Sequence, residues 1–80
     1  MLTLFEKMDY ITNDFKRSAL YQMGDMPDDH TDVFIGNAVY AASAFMLKYK
    51  GKGKQIEDYA NAIAMDWLEG LEKQWKEKNK

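Results

Sequence analysis

Apolar side chains recur along this chain at the period of a helix and not at the alternating period of a strand. Leu4, Met8, Ile11, Phe15 and Ala19 follow one another at spacings of three and four, with Phe5 and Met23 alongside, so one face of a first helix is apolar. Thr3 followed by Glu6 reads as a capping box at its start, and Gly24 supplies the left-handed residue that commonly ends a helix. The pattern predicts one unbroken helix over about residues 3–23. Asp25, Met26 and Pro27 then look like a fresh start, because proline suits a first helical turn and the acids Asp28, Asp29 and Asp32 oppose the positive end of the helix dipole. The second helix is expected over about 27–49, with a start as late as Thr31 as the alternative, and Gly51 and Gly53 stop it. A third helix is expected over about 54–76, with Ile56, Ala60, Ile63, Trp67 and Leu71 as its seam. Trp67 is expected to anchor the core, and Trp75 to lie against the first helix or reach a partner. Residues 1–80 read as one all-α domain, a three-helix antiparallel (up-down-up) bundle, with no internal repeat and no low-complexity linker.

The middle helix departs from the amphipathic rule. Phe34, Ala38, Ala41 and Phe45 form one stripe, Ile35, Val39, Ala42 and Met46 spread around from it, and Val33, Tyr40 and Leu47 occupy the far side. Its polar residues after Asp32 are confined to Asn37, Ser43 and Lys48, the signature of a helix covered all round. Two neighbours in a row of three leave one side open, and an apolar patch left there is an association site. Small residues between Gly36 and Ala44 would let another helix approach closely. The expectation is a homodimer through Gly36, Tyr40, Ser43, Ala44 and Leu47, which either Ala42→Glu or Ala44→Glu should dissociate with little loss of helix content. The alternative is a compact triangular bundle whose large aromatics wrap the middle helix.

Size favours a partner, since an 80-residue domain buries only about 60% of the surface its unfolded chain exposes. The chain has no cysteine, which removes disulfides and thiolate metal sites and suits a reducing cytoplasm. The segment from Met1 to Glu6 lacks the basic lead of a signal peptide, and no apolar run is long enough to span a membrane. A soluble, cytoplasmic protein is expected. A net charge of -2 gives no global attraction for nucleic acid. Charge is nonetheless sorted into blocks: residues 25–32 carry four aspartates and no lysine or arginine, and residues 48–54 carry four lysines and no acid.

Asp25, Asp28, Asp29, His30 and Asp32 have the composition of a divalent-metal site but not the spacing of an EF-hand or a zinc site, and helix-start acids account for them. In an up-down bundle Lys73, Lys76 and Lys78 come to this end and neutralise it. Glu57, Asp58, Asp66, Glu69 and Glu72 project mostly away from the third seam as a solvated face. Neither Ser18 nor Ser43 is visibly paired with a base, so no enzyme and no cofactor are expected, and a metal-dependent hydrolase stays the remotest reading. Lys48, Lys50, Lys52 and Lys54, interleaved with Tyr49, Gly51 and Gly53, offer a weak nucleic-acid or anion site, although no phosphate-loop pattern is present. On the first helix, Tyr10, Asp14, Arg17 and Tyr21 form a stripe opposite the seam, and tyrosine and arginine are enriched at binding hot spots. The leading expectation is therefore a small non-enzymatic protein-binding module, an adaptor or inhibitor that self-associates through its middle helix. Small acidic helical chains of this kind are frequent among phage and mobile-element accessory proteins acting on host proteins.

Overall fold

The computed structural model describes residues 3–78, and they are all-α, with no strand among them. Helix α1 covers Leu4–Lys16 and opens as expected: Thr3 is extended and its hydroxyl accepts from the Glu6 amide at 3.1 Å. The Glu6 carboxylate accepts from the same hydroxyl at 3.2 Å instead of reaching the Thr3 amide, so only the forward half of the capping box forms.

The first helix is not continuous. It stops at Lys16, and a four-residue helix α2, Ala19–Gln22, starts after an extended Ser18 with ψ 158°. Serine's short hydroxyl competes for backbone partners: it donates to the Phe15 carbonyl and accepts from the Tyr21 amide at 3.4 Å. The Gln22 side-chain amide closes the break by donating to the Lys16 carbonyl at 2.7 Å. The break resets the helical register. Leu20 becomes fully buried while Ala19, expected on the apolar face, is exposed, as are Leu4 and Phe5 at the opposite end of α1.

Gly24 takes the left-handed conformation foreseen for it, at φ 73°. The next helix, α3, begins at the later of the two anticipated positions and covers Thr31–Lys48. Two contacts hold the preceding segment off the helix. Met26 is buried with its amide donating to the Gln74 side chain at 3.1 Å, and Asp29 takes the amide of His30 at 2.8 Å. His30 enters the helix at φ 55°, one of the few residue types that tolerate that region. Asp28 and Asp29 thus precede the helix, and only Asp32 lies in its first turn.

After Gly51 and Gly53, both at positive φ, α4 covers Lys54–Lys78 and runs two residues past the expected end. The Gly51 amide donates to the Glu57 carboxylate, fastening the turn to α4. At the far end the Trp75 indole donates to Asp32 at 2.9 Å and Lys78 meets Asp28 at 2.8 Å, so α4 ends beside the start of α3 and the two pack antiparallel. Trp75 is thereby tied to the first turn of α3. The α3–α4 contact is the most extensive in the molecule. Its centre is thin, with Ala38, Ala42, Ala60 and Ala64 fully buried, while Ile11, Phe15, Leu20, Phe45, Leu68 and Leu71 supply the bulk around it. Phe15 touches Phe45, Tyr21 and Trp67 edge-on at 5.3 to 5.8 Å. Trp67 is half-buried, and its indole N–H is buried with no partner among the described residues. The molecule measures 48 × 18 × 16 Å.

Candidate association surface

Burying Ala38, Ala42 and Phe45 fixes which side of α3 faces inward, and the helical period then decides what faces out. Every residue proposed from the sequence as an interface is exposed: Gly36, Tyr40, Ser43, Ala44 and Leu47. Val33, Asn37 and Val39 join them. Tyr40 is 79%, Leu47 63% and Val33 62% exposed, unusual values for large apolar side chains. Between Val33 and Leu47 this face carries no charged residue, and its three largest side chains recur every seven residues. That heptad spacing is the signal that adds Val33 to the interface set. The ridge is bordered on both sides. Toward α2 lies a groove of about 640 Å³ lined by Arg17, Ala19, Met23, Asn37, Tyr40 and Ala44 among others. Toward α4 lies one of about 480 Å³ lined by Ser43, Met46, Leu47, Lys50, Glu57 and Asn61. A Cβ built on Gly36 would meet nothing within 4 Å, so no contact inside this chain requires glycine there.

Tyr10, Asp14, Arg17 and Tyr21 do not come together as one exposed stripe. The Asp14 side chain is only 15% exposed and accepts from Tyr49 Oη at 2.6 Å and from Lys48 Nζ at 2.9 Å, tying α1 to the end of α3. The Tyr49 hydrogen bond, helped by the Lys48 ammonium, holds the Asp14 carboxyl below its ordinary range against the opposing effect of burial. Burial and the adjoining carboxylate push the Tyr49 hydroxyl well above its ordinary range. Tyr21 leans over Trp67 with ring centroids 5.0 Å apart. Tyr10 and Arg17 remain exposed on either side of Asp14.

The lysine block is likewise divided. Lys48 and Lys52 join Lys7, which sequence reasoning did not include, around a cavity of about 420 Å³ floored by Ile11, Tyr49 and Ile56. Lys50 borders the α3–α4 groove beside Leu47, and Lys54 lies with Leu4 and Lys7 at the end of the molecule. At the acidic end Asp28 pairs with Lys78, which holds its carboxyl below the ordinary range, Asp29 lies 3.6 Å from the His30 ring, and Asp32 is bound to Trp75. No three of the acidic or histidine side chains among the described residues are grouped as metal ligands. Among the described residues no helix is long and apolar enough to cross a membrane.

The described residues thus define an all-α protein with one uncovered apolar helix face. Comparison of the chain with protein families, with curated proteins and with solved structures found no match.

Proposed function

We propose that this chain is a non-enzymatic protein-binding module, an up-down-up three-helix bundle that self-associates through the outer face of α3. One observation carries the reading: Val33, Tyr40 and Leu47 are large, apolar and exposed along a single uncharged ridge. Leaving such a ridge in water forfeits burial worth about 25 cal/mol for each Å² of apolar surface. A chain this short has little other area to gain. On this reading the assembled protein is an adaptor or inhibitor, working in a reducing cytoplasm that suits a chain without cysteine. Light scattering across a concentration series tests it. A mass above 9.3 kDa that returns to the monomer on Ala44→Glu is the expected result, and a monomer at every concentration overturns the reading.

A second reading has an observation of its own. Lys7, Lys48 and Lys52 surround the apolar-floored cavity beside Tyr10, an arrangement suited to an anion with a flat or apolar body. Lys48 already serves Asp14, which weakens the site. Binding of a short single-stranded oligonucleotide should then fall steeply with added salt, and no binding at low salt removes this reading.

A further inference from the structure

Resting on the self-association just proposed, we infer that the partner on α3 is a second copy packed antiparallel, with the two-fold axis passing close to Tyr40. Three features of the outer face point to this arrangement. Val33 and Leu47 lie equally far from Tyr40 along the helix, as do Gly36 and Ala44, so the ridge reads nearly the same in both directions in bulk and smallness. A two-fold operation therefore lays Val33 against the partner's Leu47. It also brings each Tyr40 ring over a shallow stretch of the partner, where Gly36 or Ala44 and the flanking groove leave room. The heptad spacing of the bulky residues keeps this seam in register at a small crossing angle.

Charge decides the direction. Asp29 precedes α3 and Lys50 follows it, both exposed, with no charge between Asp32 and Lys48, which are held within the chain by Trp75 and Asp14. Lys50 borders the ridge beside Leu47. Antiparallel packing sets each acidic end against the partner's basic end and opposes the two helix dipoles favourably. Parallel packing would set Asp29 against Asp29 and Lys50 against Lys50. An uncharged centre with unlike charges at its ends is thus complementary to itself in one direction only.

The absence of cysteine makes the register directly readable by single-cysteine oxidation. Tyr40→Cys, Val33→Cys and Leu47→Cys all alter exposed side chains, and circular dichroism checks that each folds. Light scattering on the unaltered chain reports the association itself. With a mass above the monomer, Tyr40→Cys should yield a covalent dimer by itself. Val33→Cys and Leu47→Cys should cross-link in a mixture at least tenfold more than either does alone. Self-cross-linking of Val33→Cys and Leu47→Cys without the mixed product means a parallel pair, which overturns the inference and leaves self-association standing. An associated protein in which none of the three sites cross-links overturns the inference by placing the interface elsewhere. A monomeric mass overturns the underlying reading and the inference with it.

Discussion

The inner and outer faces of α3 differ less in hydrophobicity than in the order of large and small side chains. Inside, Ala38 and Ala42 lie against a thin α4 surface that contains Ala60 and Ala64, and Phe45 fills the space where the helices diverge. Outside, Val33, Tyr40 and Leu47 stand as separated knobs with Gly36 and Ala44 between them. The inner face meets complementary shapes contributed by α1, α2 and α4. The outer face has equally regular relief and meets none of them. On the proposed self-association, a helix that is apolar all round is explained by two different neighbours, and substitutions on the two faces should fail in different ways.

The largest separation is expected between two alanines two positions apart. Ala42 is fully buried in the α3–α4 contact, whereas Ala44 is exposed on the ridge. The sequence pattern makes Ala42→Glu and Ala44→Glu equivalent ways to dissociate an assembly, and here the structure corrects it. A glutamate at Ala42 has no room and no partner, and burying a charge unpaired costs at least about 3 to 5 kcal/mol. That is comparable with the whole stability of about 4 to 12 kcal/mol expected for a domain of this length. Ala42→Glu should therefore lose most of its helical circular dichroism at 25 °C, while Ala44→Glu keeps it and loses only mass in light scattering. Equal loss of helix in both variants would erase the distinction between the faces.

Phenylalanine against tyrosine sharpens the same contrast at a smaller scale. Phe45→Ala removes a buried ring that contacts Phe15 and Tyr49, at about 3 to 5 kcal/mol in chemical denaturation. Tyr40→Ala removes a ring of which most is in water, so at concentrations too low for association its cost should stay within about 0.5 kcal/mol. At high concentration Tyr40→Ala should lower Tm, because only association can cover that ring. A Tm independent of concentration in both the parent and Tyr40→Ala would leave the outer face without a partner.

Much of this architecture is visible in the order of residues alone. The far-side position of Val33, Tyr40 and Leu47 follows from the helical period, and three helical stretches follow from their caps and glycines. The period does not reveal the break at Ser18, because a serine within a helical pattern stops the helix only if the next turn gains from the new register, here through full burial of Leu20. The start of α3 depends in the same way on Met26 and Gln74, residues 48 apart in the chain. The sequence places Asp14 in an exposed binding stripe because its partners, Lys48 and Tyr49, lie 34 and 35 residues away and leave no local trace. Local pattern locates faces, and non-local contact decides which polar residue is left to bind something else.

The contact at Asp14 gives the next prediction, a pH dependence seated where the outer face of α3 ends. A carboxyl whose folded value is depressed adds stability above its unfolded value, near pH 4, that is lost as pH falls through the folded value. A phenol whose folded value is raised adds stability below about pH 10 that is lost on further alkalinisation. Tyr49→Phe should cost about 2 kcal/mol near pH 7, as expected for a hydrogen bond to a charged group. It should also flatten both limbs of the stability profile measured by denaturant titration from pH 2.5 to 11. Unchanged limbs would mean that the Asp14–Tyr49 hydrogen bond does not govern how α1 is fastened to α3.

The smallest effect compares two glycines inside helices. Neither Gly36 on α3 nor Gly70 on α4 would bring a Cβ within 4 Å of anything in the chain, and neither has a positive φ. Glycine in a helix interior costs about 0.8 to 1 kcal/mol relative to alanine, so on intramolecular grounds alone both should be alanine. Gly70→Ala should accordingly stabilise by about 0.5 to 1 kcal/mol at every protein concentration. Gly36→Ala should give the same gain only when the protein is dilute. As concentration rises its advantage should shrink, because the added methyl stands where a partner's Tyr40 ring is to lie. Denaturation midpoints of both variants at 1 and 100 μM make the comparison, and parallel gains for the two would remove the steric reason for glycine on the outer face. Gly36 is thus the position at which the proposed contact with a second copy makes a demand that this chain's own fold does not.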